Sequence, residues 1–208
     1  MLQRSKEWFE ARTGKFTASD ADRLLGKLTL KMTVDKIDNF AKEKASELYF
    51  GLSEEEEFLS KDVQRGVELE PYAFKRLKEI LALDFIDLEE TTFIPIGLNA
   101  GASPDGKASN GYNVEIKCPN LTTFKKVVLE DDVNPKHFAQ MQQQMLATES
   151  KKTYYFNYLI HNNKEYYYLI MVDRCEETIK LLQERIEMAT DLRDKHLLVL
   201  NEKLNKQD

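Results

Sequence analysis

The residues with the clearest chemical potential lie in the segment 100–119. Asp105 stands in a Ser-Pro-Asp-Gly turn, and Glu115 and Lys117 follow, one residue apart. Apolar and charged residues alternate from 114 to 117, which is the period of a β-strand and places Glu115 and Lys117 on one face. Asn110-Gly111 is typical of a tight hairpin turn, so the Asp105 segment is predicted to fold back beside this strand.

Carboxylates and a lysine that converge in this way suit metal-assisted phosphodiester hydrolysis. Carboxylate oxygens hold Mg²⁺, which can polarise a phosphodiester and activate a bound water, and a lysine can position that water or offset developing charge. An ideal hairpin turning at Asn110-Gly111 would set Asp105 opposite Ile116, on the wrong face, so a bulge or bend at Pro104 or Gly106 is expected. Spacing alone favours a simpler alternative, a surface hairpin with a solvated Glu/Lys pair.

A further acid is predicted on a helix over about 60–82. Its apolar stripe is interrupted at Glu70, and an acid in a core-facing stripe is unfavourable unless it is paired or holds a metal. Glu68 is the competing acid, but it points about 160° away from the stripe at 100° per residue. Pro71 removes a helical hydrogen bond and is expected to kink the helix. The stripe consists of Val63, Val67, Phe74, Leu77 and Leu81.

These residues resemble a known family. Pro104-Asp105 followed by Glu115-Ile116-Lys117 is similar to the PD-(D/E)xK nuclease signature, and the extended matches Ser103–Gly106 and Glu115–Pro119 resemble the phage lambda exonuclease branch, the YqaJ-like viral recombinases. The resemblance implies that Glu70, four residues after Gly66, completes the metal site with Asp105, Glu115 and the carbonyl of Ile116. It implies Mg²⁺ as the cofactor, with Mn²⁺ as a substitute, and Lys117 as the residue that activates or positions the water.

The amino-terminal segment carries a second set of family matches. Ser5 is predicted to cap a helix over 6–12, and a second helix is predicted to start after Thr17-Ala18-Ser19 with Asp20 in its first turn. The pattern W-x₃-R-x-G-x-x-T-A-S is present from Trp8 onward. The resemblance assigns Arg12, Ser19 and Ser103 to a pocket for a 5′-phosphate. Without it, a capped helix with a solvated arginine is the preferred interpretation.

A third set of family matches lies on a helix that is predicted from Asn134-Pro135 to about residue 147. The family carries a Q-x-Q pair on this helix, which implies that Gln140 lies near the active site; Gln144 is left outside the predicted site. The family's pocket arginine in the segment after Lys117 is absent from Leu121-Thr122-Thr123-Phe124. Lys125 or Lys126 is a possible replacement.

Composition limits the remaining possibilities. The 208 residues carry a net charge of −6 and two cysteines, which gives no disulfide framework and too few ligands for a four-cysteine metal site. An acidic protein that binds DNA needs a local basic patch, expected near Asp105. The acidic run Glu54–Glu57 is most simply a solvated loop or helix start. The absence of an apolar transmembrane or signal segment predicts a soluble cytoplasmic protein, in the bacterial host if the gene is carried by a phage.

The order of predicted elements favours a single α/β domain over 1–208, with a central mixed sheet of about five strands flanked by helices. The resemblance narrows this prediction to a restriction-endonuclease-like core. Further strands are predicted at 93–97, 101–106, 153–159 and 165–172, and a long helix at about 176–203 is expected to pack on the sheet or on another subunit.

The predicted function is Mg²⁺-dependent 5′-to-3′ digestion of linear double-stranded DNA, which exposes a 3′ single strand for recombination. The resemblance implies a ring-shaped homotrimer around DNA and a single-strand annealing protein as partner. Two alternatives remain open, a structure-specific or sequence-specific endonuclease of the same fold and a catalytically silent protein that binds DNA ends.

Overall fold

The computed structural model describes residues 5–26, 30–51 and 61–204, with side chains from residue 34 onward in the second of these ranges and from residue 64 onward in the third. The helices in these ranges are α1 (Lys6–Arg12), α2 (Asp22–Leu25), α3 (Leu30–Phe50), α4 (Lys61–Ala82), α5 (Leu121–Glu130), α6 (Pro135–Thr148) and α7 (Glu176–Leu204). The strands are β1 (Phe16–Thr17), β2 (Leu88–Glu90), β3 (Ile94–Ile96), β4 (Ala100–Ala102), β5 (Gly106–Ala108), β6 (Asn113–Lys117), β7 (Lys152–His161) and β8 (Lys164–Asp173).

The larger sheet has five strands in the order β2-β5-β6-β7-β8. Its β6–β7 pair is parallel and its other pairs are antiparallel. Parallel neighbours need a long crossover, and here α5 and α6 supply it. The predicted mixed sheet of about five strands, flanked by helices, is therefore confirmed. A smaller sheet in the order β1-β4-β3 stands beside it and joins the amino-terminal segment to the strands before Asp105.

The two faces of strand β6 pack against different parts of the molecule. Val114 and Ile116 are buried in a core cluster with Ala73 and Leu77 of α4, while the opposite face of the sheet packs on α6 through Met141 and its neighbours. A third cluster joins α2, α3 and α7 to the small sheet. A carboxylate on the second face of β6 is thus enclosed between sheet and helix, which is the arrangement that buries Glu115.

Several sequence predictions need correction. The amino-terminal segment after Thr17 forms a 3₁₀ turn, Ala18–Asp20, followed by the short α2 instead of one continuous helix. Helix α5 and strands β1 and β2 were not predicted. Helix α7 packs chiefly on α3, with further contacts to α2 and α6, because its buried stripe lies over the small sheet and its helices rather than over the large sheet.

Two expectations fall on parts of the chain that the structure does not describe: the acidic run Glu54–Glu57 lies outside the described residues, and so does the side chain of Val63. Within the described part of the chain, no helix has the length and apolar character needed to cross a membrane.

Candidate active site

One cavity of about 510 Å³ collects the residues that the sequence singled out. It lies where α1, the 3₁₀ turn, α4, the β5–β6 hairpin and α6 meet. The predicted residues among its lining are Arg12, Ser19, Glu70, Ser103, Asp105, Glu115, Ile116, Lys117 and Gln140. All nine predicted site residues therefore border one space, although they come from segments more than 100 residues apart in the chain.

The hairpin register differs from the predicted one. The loop has three residues, because Ala108 N–H donates to the Tyr112 carbonyl at 2.8 Å, and Gly111 adopts a left-handed conformation with φ of 86°. This is the three-residue hairpin in which glycine takes the last loop position. Gly106 then pairs with Val114, so that the same register continued by one residue sets Asp105 across from Glu115 and not Ile116.

The chain also bends at Asp105, immediately before β5. Its N–H donates to the Val114 carbonyl at 3.0 Å, and its carboxylate accepts the N–H of Ile116 at 2.6 Å. The bend that was expected at Pro104 or Gly106 therefore lies between them, at Asp105 itself. The register and the bend together bring its carboxylate to the cavity.

Both oxygens of the Glu115 carboxylate are held by neighbouring side chains. Glu115 is only 1% exposed. Lys117 Nζ forms an ion pair with Oε1, and Gln144 Nε2 donates to Oε2 at 2.5 Å. Lys117 Nζ also donates to Gln140 Oε1 at 3.3 Å. The strand residue Glu115 and the helix α6 are thereby linked by charge-assisted contacts, which are stronger than neutral hydrogen bonds.

The electrostatics of these residues reflect crowding of acids. Burial raises the pKa of Asp105 well above its ordinary value, and the nearby charges of Glu115 and Glu70 raise it further against the opposing effect of Lys117. Burial opposes the charge of Lys117, but the carboxylates of Glu115 and Asp105 outweigh this effect and hold its pKa above the ordinary value. We refer to Glu70, Asp105, Glu115 and Lys117 as the carboxylate region.

Glu70 reaches the cavity from α4, which continues without a break through Pro71. The helix is anchored in the core by Leu77 and Leu81, which are 0% and 3% exposed. Toward its amino-terminal half the same stripe leaves the core, and Val67 and Glu70 line the cavity instead. Glu68 is exposed. The interruption of the apolar stripe therefore marks the place where the helix passes from the core to the cavity.

A second region of the cavity is rich in hydroxyl groups. Arg12 donates through Nη2 to Thr17 Oγ1 and to Ser19 Oγ, each at 3.3 Å. Its guanidinium lies 4.0 Å from the centre of the Trp8 ring, and Trp8 Nε1 donates to Ser103 Oγ at 3.1 Å. A planar guanidinium beside several hydroxyls matches the oxygens of a phosphate group. We refer to Arg12, Ser19 and Ser103, which line the cavity, together with the buried Thr17, which does not, as the hydroxyl region.

Neither of the two lysines named from the sequence as a replacement for the missing family arginine lines the cavity. Lys126 pairs with Glu130 and Asp132 on the surface of α5, and Lys125 is exposed. Arg65, from the first half of α4, lines the cavity and donates through Nε to the Cys118 carbonyl at 3.3 Å. Sequence periodicity did not distinguish it from a solvated helical arginine.

The sequence pattern of a known domain family shows the family to which this chain belongs. The sequence pattern of the YqaJ-like viral recombinase domain matches residues 7–151. The chain belongs to the YqaJ-like viral recombinase domain family. The matched range contains both regions of the cavity, and the resemblance inferred from Asp105, Glu115 and Lys117 is confirmed.

Solved structures agree with this YqaJ-like assignment. An alkaline exonuclease from Laribacter hongkongensis is 26% identical, with a TM-score of 0.81 over 98% of this chain and all of its own chain. The same enzyme in complex with dAMP gives a TM-score of 0.80 at the same identity and coverage. A phage-related exonuclease from Haemophilus somnus 129PT shares the fold at 17% identity, with a TM-score of 0.68 over 89% of this chain and 96% of its own. No curated protein sequence matches this chain.

The carboxylates of this YqaJ-like cavity are the candidate ligands for a metal ion. Among the described residues, no three acidic, histidine or cysteine side chains lie close enough together to hold such an ion. The chemistry of these carboxylates nevertheless fits. Three carboxylates border one cavity, and the negative charges of Glu115 and Glu70 raise the pKa of Asp105. A divalent cation would relieve this repulsion, and hard cations take such oxygen ligands. Binding would require the three carboxylates to close around the ion, and each oxygen of Glu115 keeps a second lone pair for it beside the contacts to Lys117 and Gln144.

Two further titratable side chains that the sequence did not assign to the site, His137 and Cys118, line the cavity. His137 Nδ1 lies 2.7 Å from the Tyr155 hydroxyl, and burial, with the charges of Lys117 and Lys136, lowers its pKa to about 3. Burial raises the pKa of Tyr155 to about 12, so that a protonated Tyr155 is hydrogen-bonded to a neutral His137. Cys118 remains a thiol, because burial and the charge of Glu70 raise its pKa to about 12.

Proposed function

We propose that this protein is a metal-dependent exonuclease that digests linear double-stranded DNA from its 5′ end. The observation that carries the proposal is the coexistence of two kinds of group in one cavity: three carboxylates with a lysine, and an arginine with hydroxyls. The first kind suits metal-assisted phosphodiester hydrolysis. The second suits a terminal phosphate. The 26% identical alkaline exonuclease, which aligns over almost the full length of both chains, supports the same activity.

In this proposal the carboxylates of Glu70, Asp105 and Glu115, with the carbonyl of Ile116, hold one or two Mg²⁺ ions, and Mn²⁺ substitutes. When bound, the metal would supply a Lewis acid and lower the pKa of a coordinated water. Lys117 keeps its positive charge beside Glu115 and is placed to orient a water and to offset charge that develops on the phosphate. Gln140 accepts from Lys117 and so holds its ammonium over the cavity.

Arg12, Ser19 and Ser103 bind the 5′-phosphate in this proposal, and Arg65 is a second arginine of the cavity that contacts the duplex backbone. The Nε of Arg65 donates to the carbonyl of Cys118, the residue after Lys117. A cation on α4 would then contact the DNA backbone beside the carboxylates, since the acidic net charge of −6 requires basic residues to be concentrated where the phosphates lie.

We further propose that the protein acts as a homotrimer around DNA, in the cytoplasm of a bacterial host, and supplies 3′ single strands to an annealing protein. The assembly is tested by light scattering at assay concentration. A mass of about three chains supports it, and a monomer under conditions where DNA is digested would contradict it.

The experiment for the activity compares 5′-phosphorylated linear duplex with the same DNA as a closed circle, each with Mg²⁺ or EDTA. Wild type is compared with Lys117→Ala and with Lys107→Ala, an exposed lysine on the neighbouring strand β5. Digestion of linear DNA alone, dependent on Mg²⁺ and on Lys117 but not on Lys107, is the expected result. Cleavage of the circle would indicate an endonuclease, and binding without cleavage would indicate a silent DNA-end-binding protein.

A further inference from the structure

Helix α6 contains three consecutive glutamines that are all fully buried, Gln142, Gln143 and Gln144. Buried amides need hydrogen-bond partners, and each of these has a different one. Gln142 bonds the Asp173 carbonyl at 2.9 Å and accepts the N–H of Cys175 at 2.8 Å, which joins the end of β8 to α7. Gln143 donates to the carbonyls of Phe16 and Gly101, at 2.8 and 3.1 Å, in the small sheet. These two glutamines have structural partners.

Gln144 has a different kind of partner, the carboxylate of Glu115. The distance from Nε2 to Oε2 is 2.5 Å. A carboxylate only accepts hydrogen bonds, so the NH₂ group, not the amide oxygen, must face Glu115. The same Nε2 lies 3.4 Å from the Ser103 carbonyl. The Gln144 amide is therefore shared between the carbonyl of Ser103, in the hydroxyl region, and the carboxylate of Glu115, in the carboxylate region.

The geometry fixes what this amide does to Glu115. Lys117 occupies Oε1 and Gln144 occupies Oε2, and the carboxylate is almost completely buried. Lys117 borders the cavity, but Gln144 is not part of its lining. Gln144 thus holds the carboxylate from behind, on the side away from the cavity, and sets which lone pairs of Glu115 face the space where a cation would bind.

We propose that Gln144 is a positioning residue that orients Glu115 for divalent metal binding and ties this orientation to the strand segment carrying Ser103. The inference rests on the proposed metal-dependent function. A partner that hydrogen-bonds a metal-ligating side chain typically changes metal affinity or activity by about 10- to 100-fold when it is removed. Gln144 makes no contact with substrate in this scheme, and its effect passes through Glu115.

The test uses the neighbouring glutamine as its matched control. Gln144→Met and Gln142→Met each remove one buried amide from the same helix and retain a side chain of similar length. Mn²⁺ binding to the metal-free protein is measured by isothermal titration calorimetry without DNA, so that the measurement does not depend on turnover. We expect Gln144→Met to weaken Mn²⁺ binding by about 10- to 100-fold and Gln142→Met to leave it within a factor of about two of wild type.

A second measurement separates positioning from structural damage. Rates on linear duplex are recorded over a range of Mg²⁺ concentrations, and Gln144→Met should require more Mg²⁺ for half-maximal rate, whereas Gln142→Met should not. Thermal denaturation of both variants in EDTA gives their stabilities. If Gln144→Met does not fold, Gln144→Asn keeps the amide but is one methylene too short to reach Oε2, and it is expected to shift Mn²⁺ affinity in the same direction.

The outcomes distinguish this inference from the function on which it rests. Equal Mn²⁺ affinities for wild type, Gln144→Met and Gln142→Met would overturn the positioning role and leave the nuclease proposal intact. Equal weakening in both variants would also overturn it, because loss of any buried amide would then suffice. A wild-type protein that neither binds Mn²⁺ nor digests linear DNA would overturn the proposed function itself.

Discussion

The carboxylate and hydroxyl regions share a cavity but are built in different ways. The hydroxyl region comes mostly from residues 8–19, and its Arg12 contacts lie within seven residues in the chain. The carboxylate region is assembled from α4, the β5–β6 hairpin and α6, and apart from the Glu115–Lys117 ion pair its contacts join residues 11 to 29 positions apart. The hydroxyl region therefore joins a local motif to one distant residue, Ser103, which bonds Trp8 from 95 positions away, whereas the carboxylate region exists only when the sheet and helices have packed.

This difference has energetic consequences. In the carboxylate region, burial and mutual repulsion of acids work against the folded state, and Lys117, Gln144 and the Ile116 N–H offset them. In the hydroxyl region, burial lowers the pKa of Arg12 and the nearby carboxylates of Asp20 and Glu47 oppose this effect, while the direct partners of its guanidinium are hydroxyls and an aromatic ring. Residues that function in the first region should therefore lower stability more than those in the second.

The largest expected effect is that of Asp105→Asn. It keeps an acceptor for the Ile116 N–H but removes a negative charge, so nuclease activity should fall by about 10²–10⁴-fold, the range for loss of a charged or catalytic group. Because the lost charge is crowded by Glu115 and Glu70, the melting temperature in EDTA should be unchanged or higher. Rates on linear duplex and circular dichroism melts measure the two quantities.

The control for this substitution is Asp84→Asn, at an exposed position beyond α4, which should alter neither quantity. A melting temperature of Asp105→Asn clearly below that of wild type would contradict the idea that the carboxylate region trades stability for function. It would instead indicate that Asp105 mainly holds the hairpin together through its bond to Ile116.

The same contrast explains what the sequence could and could not predict. Arg12, Ser19 and Ser103 were assigned to the hydroxyl region only through the family resemblance, since the residues alone favour a capped helix with a solvated arginine. Glu70 was recognisable because helical periodicity makes an acid conspicuous in an apolar stripe. Gln144 was missed, because a glutamine on an amphipathic helix resembles polar surface until the packed sheet shows that it is completely buried.

The Asp105 register and Arg65 were missed for related physical reasons. A single residue added to the hairpin loop changes which side chains lie opposite each other, and Asn110-Gly111 alone did not reveal that Ser109 belongs to the loop. Arg65 carries no periodic signal, since an arginine on a helix is ordinarily solvated. Its location in the cavity depends on how α4 packs against the hairpin, which is a tertiary property.

An intermediate effect is expected when Arg12 and Arg65 are compared, because they should affect different properties of DNA binding. Arg12→Gln should reduce the preference for 5′-phosphorylated over 5′-hydroxyl duplex by about tenfold, the equivalent of losing a charge-assisted hydrogen bond. Arg65→Gln should weaken binding to both substrates alike and reduce the slope of log affinity against log salt by about one. Rates on the paired substrates and fluorescence titrations at several salt concentrations measure these effects.

The matched control for both arginines is Arg76→Gln. Arg76 lies on α4 with Arg65 but pairs with Glu79 and Glu165 outside the cavity, so neither the 5′-phosphate preference nor the salt slope should change. If Arg65→Gln alters the phosphate preference as strongly as Arg12→Gln does, the two arginines bind one terminal phosphate together. Assigning Arg65 to the duplex backbone would then be wrong.

The smallest expected effect concerns pH and the neutral His137. Its pKa is lowered to about 3, by burial first and then by Lys117 and Lys136, whereas an unfolded histidine titrates near 6.5. Between these values the unfolded chain binds more protons at this position than the folded one, so stability rises with pH across the window and is lost on acidification. His137→Gln removes this contribution but can still accept the Tyr155 hydroxyl. Melting temperatures in EDTA from pH 7 to 4.5 should therefore fall less steeply for His137→Gln than for wild type and for His161→Gln, a control at the end of β7. Parallel curves for all three proteins would mean that His137 is not held neutral by its enclosure beside the carboxylate region.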